Sequence, residues 1–248
     1  MGLICLGRAG DLLNALGIAS VYRRRGWSVT ILTSPTFAPI VQATDFSLRI
    51  VDTGHISRGL SDAINVAEDE FDTIRICQAH GKERGRPAPR RNPLEQHWDQ
   101  EAFVRAGLTA FHHHAEPPPP LHPSMSDARE VLQHFKVSPS VPYIVTCFEG
   151  FSSPIPQEAR LRLTSMFMDL RGVVCLDGFR CRSLVDLLPL LEHAVGLITV
   201  DTALLHLSRW TETPTIALVN DGWLGSASRP HWIARIPYSN LIQQEDFP

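Results

Sequence analysis

The sequence predicts an α/β protein with parallel sheets and helices on both faces, from three observations. Short apolar runs alternate with amphipathic stretches along most of the 248 residues, as in successive β–α–β units. The composition, 44% hydrophobic and 20% charged, is sufficient for a substantial core. The alternation is interrupted by four consecutive prolines, residues 117–120, which form a stiff, extended spacer. We therefore predict two Rossmann-like domains that face a cleft, residues 1–120 and 121–248.

The first half of the chain contains four predicted strands. Each is a short apolar run, and together they cover residues 3–6, 28–32, 48–51 and 73–77. Predicted helices cover residues 11–25, 34–43, 60–67 and 94–106. The first helix places Leu12, Leu13 and Leu16 roughly on one helical face, and Gly26 is a typical residue to end it.

The second half repeats the alternation after the prolines. Its predicted strands cover residues 143–147, 173–176, 197–200 and 215–219, and its predicted helices cover residues 127–135, 157–170, 184–193 and 202–210. We expect the chain after residue 219 to be irregular, apart from short helices.

Charge and cysteine content exclude some classes of protein. The formal net charge is −3 at pH 7, so neither a strongly basic protein nor an acidic tail is indicated. The five cysteines show no C-x-x-C spacing, and four lie in or beside predicted strands, so we expect buried free thiols in a reducing compartment. The sequence has no signal-peptide pattern and no apolar run long enough to span a membrane. We therefore expect a cytoplasmic protein with no integral membrane segment.

A polar motif follows the predicted strand 197–200. Asp201 and Thr202 come directly after the strand, and His206 follows four residues after Thr202. A helix that begins there presents free backbone N–H groups and its positive dipole end, which favour an anion such as a phosphate or diphosphate. The alternative for His206 is an ordinary core position on an amphipathic helix.

This pattern resembles the nucleotide-sugar site of the ADP-heptose:lipopolysaccharide heptosyltransferase family, whose motif is roughly Asp-Thr/Ser-Gly-x-x-His-Leu. The resemblance implies a GT-B fold in which the C-terminal domain binds the donor through Asp201, Thr202 and His206. Preorganised donors of this kind stabilise a leaving diphosphate without a metal. The nucleoside-diphosphate sugar is therefore expected as a co-substrate, with no cofactor and no metal.

The sequence departs from the family pattern in the donor site. Ala203 stands where the family has glycine, and Ser153 stands near the place of a lysine that the family follows with Trp-Pro. The second change removes a positive charge. Either Ser152 and Ser153 bind the phosphate together with backbone N–H groups, or an arginine compensates, with Arg180 and Arg182 as the candidates. Gly222, in a glycine-containing loop after the strand 215–219, is expected at the same site.

The loop between the first strand and the first helix reads Gly7-Arg8-Ala9-Gly10-Asp11. It matches neither G-x-G-x-x-G nor a P-loop, so dinucleotide and P-loop sites are weakly supported. It resembles the start of the heptosyltransferases, where a Gly-Asp pair opens the first helix. The resemblance implies that Asp11 is the general base and that Arg8 and Gly10 lie at the acceptor. The alternative is that Asp11 only caps the helix.

A polar and basic stretch follows the fourth predicted strand. Gln78 and His80 resemble the polar turn near the acceptor in the family, and six basic residues against one acid lie between residues 75 and 91. We assign Arg84 and Arg86 to acceptor binding, because a basic loop suits a polyanion. Two polyanions remain open, the phosphorylated core of lipopolysaccharide and DNA with hydroxymethylated pyrimidines. A solvated loop with no partner is the alternative.

These features predict a metal-independent, inverting glycosyltransferase that moves a sugar from a nucleoside-diphosphate sugar to a hydroxyl of a polyanionic acceptor. The adjacent histidines at 112–114 are not expected to bind a metal, because they cannot all face one ion. The first alternative is a non-catalytic nucleotide-sugar-binding protein of the same fold. The second is a dinucleotide-dependent oxidoreductase, although the second strand ends in Thr33-Ser34-Pro35 rather than in an acidic residue that binds ribose.

Overall fold

A computed structural model describes residues 1–52, 56–77, 106–108, 118–138, 140–150, 155–168, 170–219 and 233–237. The chain divides into two compact units, Met1–His122 and Pro123–Pro248, and each contains its own parallel sheet. No helix in these parts of the chain is long and apolar enough to cross a membrane.

The first unit is built on a four-stranded parallel sheet. Its strands, in their order across the sheet, are β3 (Ser47–Ile50), β2 (Thr30–Thr33), β1 (Gly2–Ile4) and β4 (Ile74–Ile76). The helices between them are α1 (Ala9–Arg24), α2 (Ala38–Gln42) and α3 (Ile56–Glu70).

Both faces of this first sheet are buried. Successive residues of a strand point to opposite faces, and Leu3 and Ile4 are both fully buried. Ile4 belongs to an apolar cluster with Leu60 and Ala63, so α3 covers one face. Every residue of α1 from 10 to 22 is buried. The predicted apolar residues of this helix are buried, and so are the residues between them, because α1 is enclosed on all sides over those residues.

The second unit is built on a five-stranded parallel sheet. Its strands, in their order across the sheet, are β6 (Val173–Cys175), β5 (Ile144–Cys147), β7 (Gly196–Val200), β8 (Thr215–Val219) and β9 (Ile233–Pro237). The helices are α4 (Met125–His134), α5 (Gln157–Met168), α6 (Leu188–Glu192) and α7 (Ala203–Leu207), with 3₁₀ turns at Leu184–Leu187 and Ser208–Trp210.

Most predicted elements are present, three predictions are corrected, and the predicted helix 94–106 lies outside the described residues except for its last position. The eight predicted strands all occur, with ends that differ by at most two residues. The predicted helix 184–193 divides into a 3₁₀ turn and α6, because Pro189 lacks an N–H and cannot continue a regular helix. The predicted helix 202–210 also divides, where the Ser208 hydroxyl donates to the Leu205 carbonyl at 2.7 Å. The third correction is β9, which lies in the region expected to be irregular.

The strand order fixes where each unit can bind a ligand. In sequence order within each unit, the first sheet runs 3-2-1-4 and the second runs 2-1-3-4-5. Both are doubly wound orders, in which ligands bind at the carboxyl ends of the strands where the order reverses. These positions follow β1 and β4 in the first unit and β5 and β7 in the second. How the two units face each other, and the predicted domain bounds and cleft, stay predictions.

Candidate functional site

The loop after β1 places Asp11 in the first turn of α1. The Asp11 side chain is buried, with 5% of the residue exposed, and its Oδ2 accepts a hydrogen bond from the Arg8 backbone N–H at 3.0 Å. Arg8 is the N-cap residue, and a side chain at the third helical position that binds the N-cap N–H is one half of a capping box. Asp11 therefore caps α1, which was the alternative to its prediction as a general base.

Gly7 makes room for this carboxylate. A Cβ at position 7 would collide with Oδ2 of Asp11, so any residue larger than glycine must displace the carboxylate or the loop. Gly7 and Gly10 are buried, whereas Arg8 between them is exposed. The loop thus holds one carboxylate close to its backbone and presents one arginine to solvent.

Two buried thiols, Cys5 and Cys77, lie close to each other in the first unit, and Cys5 is also near the Asp11 carboxylate. Burial, followed by the negative charge of Asp11, raises the pKa of Cys5 well above its ordinary value. Burial raises the pKa of Cys77 to about 12, against the opposing effect of Arg75. Both thiols are therefore protonated at neutral pH, which makes them poor nucleophiles.

The prediction of buried thiols is only partly correct. All five cysteines are free, but Cys147 and Cys181 are half-buried and Cys175 is exposed. Cys175 ends β6, which is an edge strand of the second sheet, so fewer neighbours cover it.

The other acceptor residues predicted in the first unit follow β4. Gln78, His80, Arg84 and Arg86 lie outside the described residues. Strand β4 pairs with β1, and the Cys77 backbone N–H donates to the Ile4 carbonyl at 2.9 Å. The chain thus leaves β4 beside the loop that carries Asp11, which is the arrangement expected from the strand order.

The loop after β7 brings two threonines together. Thr202 is the N-cap of α7, and its Oγ1 accepts from the Leu204 backbone N–H at 3.3 Å. Its Oγ1 also lies 3.4 Å from Oγ1 of Thr199, a fully buried residue of β7. Thr199 was not identified from the sequence. The sequence feature that could have identified Thr199 is the Thr-x-x-Thr spacing across the end of the strand. It puts one hydroxyl at the next-to-last residue of β7 and the other at the N-cap of α7.

Asp201 lies between these two threonines in the sequence, and His206 lies four residues after Thr202. His206 is buried, with 9% of the residue exposed, and it lies in the last turn of a five-residue helix rather than near the start of a longer one. The short length of α7 makes its dipole weaker than expected from the sequence. Asp201 is half-buried at the carboxyl end of β7. The helix alone is therefore a weak anion site, and the polar side chains are the stronger hydrogen-bonding groups of this edge.

The loops after β5 and β6 are joined by two carboxylates. Asp177 Oδ1 accepts the backbone N–H groups of Phe148 and Glu149 at 2.7 and 2.8 Å. Glu149 Oε2 accepts the backbone N–H of Gly178 at 2.8 Å. The hydrogen bond from Gly178 and the adjacent Arg180 guanidinium lower the pKa of Glu149. Neither carboxylate belongs to a motif recognisable in the sequence.

The two arginines considered as replacements for the missing lysine both have carboxylate partners. Arg180 pairs with Glu149 at 3.3 Å, and Arg182 lies 3.8 Å from Asp127. Their positive charge is therefore offset within the protein. Ser152, Ser153 and Gly222 lie outside the described residues, as do the histidines at 112–114. Among the residues that the structure describes, no cluster of three or more metal-ligating side chains occurs.

The fold is similar to that of several solved glycosyltransferases. ADP-heptose lipopolysaccharide heptosyltransferase II of E. coli superposes with a TM-score of 0.68 at 13% identity, covering 98% of this chain and 93% of the enzyme. A family 9 glycosyltransferase from Veillonella parvula gives 0.64 at 13% identity, covering 96% and 86%. E. coli heptosyltransferase WaaC with ADP-2-deoxy-2-fluoro heptose gives 0.54 at 15% identity, covering 98% and 95%.

Comparison of the sequence alone finds no counterpart. No protein-family model matches it, and no curated protein does. The structural similarity spans nearly the whole chain, including both sheets, whereas the sequence identity is too low to carry over residue roles. The chain therefore has the fold of the heptosyltransferases and family 9 glycosyltransferases.

Proposed function

We propose that this protein is a glycosyltransferase that moves a sugar from a nucleoside-diphosphate sugar to an acceptor hydroxyl. The observation that carries the proposal is the position of the polar residues. Asp11 follows β1 and Asp201-Thr202 follow β7, so each lies at the ligand-binding edge of its sheet. The fold that places them there is also that of E. coli WaaC, which is solved with ADP and with ADP-2-deoxy-2-fluoro heptose.

The second unit is the proposed donor site. The hydroxyls of Thr199 and Thr202 lie 3.4 Å apart beside Asp201, and His206 is one turn further along the chain. Thr202, His206 and the backbone N–H groups at this strand end donate to the diphosphate and stabilise its charge as it leaves. Because these donors do not require a bound cation, the reaction is proposed to be metal-independent.

The first unit is the proposed acceptor site, with Asp11 as general base. A carboxylate accepts up to about four hydrogen bonds, so capping α1 through Oδ2 is compatible with accepting a proton. The acceptor oxygen forms a bond to the anomeric carbon, its proton passes to Asp11, and the bond from that carbon to the diphosphate oxygen breaks. A single displacement of this kind inverts the anomeric configuration.

For the acceptor we propose the lipopolysaccharide core. The basic stretch that follows β4 suits a polyanion, and the solved relatives include lipopolysaccharide heptosyltransferases. The similar structures described above give no support for a DNA acceptor. The cytoplasmic location remains part of the proposal.

A thermal-shift screen tests the donor assignment. The panel contains UDP-, GDP-, ADP-, CMP- and dTDP-sugars, with NAD as the control for an oxidoreductase. A ligand at 100 times its Kd adds about 2.7 kcal/mol to the free energy of unfolding. We expect one nucleotide-sugar series to raise Tm and NAD to have no effect. A shift with NAD alone contradicts the proposal.

A turnover assay then separates a transferase from a binding protein. Capping of α1 by Asp11 is the observation that favours the binding protein, since it gives the carboxylate a structural role. The donor that raises Tm is incubated with lipopolysaccharide lacking outer sugars, and release of the nucleoside diphosphate is measured with and without EDTA. We expect release that depends on the acceptor and is unaffected by EDTA. Binding without release supports the binding protein.

A further inference from the structure

We propose that Asp177 and Glu149 form a reciprocal clamp that positions the chain leaving β5 at the donor edge of the second sheet. This inference rests on the proposed function, since it assigns Asp177 as a positioning residue for the nucleotide. It adds two carboxylates that stand outside the motifs identified in the sequence.

The clamp is reciprocal because each loop supplies a carboxylate to the backbone of the other. Asp177 follows β6 and binds the N–H groups of the first two residues after β5, Phe148 and Glu149. Glu149 in turn binds the Gly178 N–H. Two donors on one carboxylate oxygen, at 2.7 and 2.8 Å, define the direction of the chain more strictly than a single bond.

Two arginines balance the charge of the clamp. Arg160 of α5 pairs with Oδ2 of Asp177 at 3.0 Å, and Arg180 pairs with Glu149 at 3.3 Å. Asp177 is the more enclosed carboxylate, with 17% of its side chain exposed against 45% for Glu149. We therefore expect Asp177 to contribute more than Glu149 to holding the loop.

Phe148 connects the clamp to the donor residues. Its backbone N–H is held by Asp177, and its side chain is buried in the same apolar cluster as Val200. Val200 ends β7 and directly precedes Asp201. Strand β5 pairs with β7 up to Cys147 and Thr199, so the clamped residues begin one position beyond that pair. A shift of Phe148 is therefore transmitted to the end of β7, where Asp201 and Thr202 begin.

The test compares three changes with a matched control. Asp177→Ala removes the acceptor, Asp177→Asn keeps one acceptor oxygen without the charge, and Glu149→Gln changes the weaker half. Glu70→Gln is the control, because it makes the same carboxylate-to-amide change in an arginine pair, Arg49–Glu70 at 2.9 Å in the first unit. For each protein we measure Tm, hydrogen exchange at the amides of residues 148 and 149, and the Kd for ADP, GDP and UDP at 25 °C.

The expected result is a local loss of protection together with weaker nucleotide binding. Asp177→Ala raises amide exchange at 148 and 149 by about tenfold or more and raises the Kd for the preferred nucleotide by about tenfold, because hydrogen bonds to a charged group are lost. Asp177→Asn is intermediate, Glu149→Gln is smaller, and Glu70→Gln changes neither quantity. A purely structural role lowers Tm but leaves the Kd of the folded protein unchanged.

Each other outcome overturns the inference in a distinguishable way. Unchanged exchange at 148 and 149 in both Asp177→Ala and Asp177→Asn shows that the clamp does not hold the loop. Increased exchange with an unchanged Kd shows that the clamp holds the loop but does not position the nucleotide. A wild-type protein that binds none of the three nucleotides contradicts the proposed function and the inference with it. If Asp177→Ala does not fold, amide exchange and nucleotide Kd in Asp177→Asn and Glu149→Gln test the inference.

Discussion

The two sheet edges proposed to bind the substrates are held in place by interactions of different range. In the first unit, Asp11 binds a backbone N–H only three residues away, and Gly7 of the same loop makes the space. In the second unit, Asp177 holds the chain 28 and 29 residues away, at Glu149 and Phe148. The first edge is thus specified by one short segment, whereas the second requires that two loops meet.

This difference separates the effects of substitution. In the first unit, a change in the loop after β1 acts on the proposed general base directly. In the second, a change in a loop that carries no donor-binding residue acts on the site through the backbone and through Phe148. We therefore expect substitutions in the first edge to affect turnover, and substitutions in the clamp to affect nucleotide affinity.

The largest effect is expected for Asp11→Asn. General bases typically contribute about 10²- to 10⁴-fold to the rate, so turnover falls by that factor while the Kd for the donor stays within about twofold. The Asn side chain retains an oxygen that accepts the Arg8 N–H, so the free energy of unfolding falls by less than about 1 kcal/mol. Steady-state kinetics, calorimetric binding and urea unfolding measure the three quantities. Full turnover in Asp11→Asn contradicts the role of Asp11 as base.

Gly7→Ala tests whether the first edge depends on space for the carboxylate. The added methyl group collides with Asp11 Oδ2, and overpacking a buried position of this kind costs about 1–3 kcal/mol. We expect a lower Tm together with reduced turnover, since the carboxylate is displaced.

Gly196→Ala is the matched control for Gly7→Ala. At Gly196 the nearest atom to an added Cβ is the Pro214 carbonyl oxygen at 3.6 Å, an ordinary contact distance. We expect a change of less than about 0.5 kcal/mol for a substitution that avoids the named sources of strain. Equal effects at the two glycines contradict a specific clash with Asp11.

The range of the interactions also explains how much of the molecule the sequence predicts. The ends of β1 and β7, with the loops that carry Asp11 and Asp201, could be predicted from the sequence. The residues that end each strand and begin the next helix lie within a few positions of one another. The Asp177–Glu149 clamp could not be predicted, since its partners lie far apart in sequence and carry no spacing signal.

Two errors in the predicted secondary structure, at β9 and in the helix 202–210, also have physical causes. Strand β9 is a short segment of mixed composition, and its conformation is fixed by pairing with β8 rather than by its own propensity. The division of the helix at 202–210 depends on the Ser208 hydroxyl, which binds the Leu205 carbonyl and competes with the helical backbone. A serine at that position is compatible with either conformation until its contacts are known.

The ends of two helices offer a smaller comparison between the units. Helix α1 is followed by Gly26 with φ +86°, and α4 is followed by Lys136 with φ +52°. After α1, the Trp27 N–H donates to the Tyr22 carbonyl at 3.1 Å. After α4, the Val137 N–H makes the equivalent bond to Leu132 at 3.2 Å. Both ends are Schellman motifs, but only the first has the residue that the left-handed conformation favours.

Substitutions at Gly26 and Lys136 are expected to change the free energy of unfolding in opposite directions. Gly26→Ala lowers the free energy of unfolding by about 1 kcal/mol, because nothing lies within 4 Å of the added Cβ and the cost is conformational. Lys136→Gly raises it by about 0.5–1 kcal/mol, since glycine removes the strain. Urea unfolding of both variants measures the two changes in the free energy of unfolding. A destabilised Lys136→Gly shows that contacts of the lysine stem outweigh the backbone cost.

The smallest effect concerns the pH dependence of the clamp. The Gly178 hydrogen bond and Arg180 lower the pKa of Glu149 below its ordinary 4.5. The stabilisation is therefore present above pH 4.5 and is lost as the pH falls through the lowered pKa. Glu149 is 45% exposed, so we expect Glu149→Gln to cost less than about 0.5 kcal/mol at pH 7. Denaturant unfolding at a series of pH values from 7 downward measures the difference, which should shrink as the pH falls below 4.5.

Asp186 provides a contrast of opposite sign within the same unit. Burial raises its pKa above the ordinary 3.8, although its oxygens accept the Ser124 and Ser183 N–H groups. The favourable contribution of Asp186 is therefore present below pH 3.8 and is lost as the pH rises through the raised pKa. The stability of Asp186→Asn relative to wild type should rise between pH 3 and pH 6, whereas that of Glu149→Gln should fall. Parallel slopes for the two variants would mean that the two carboxylates respond to the overall charge of the protein and not to their own partners.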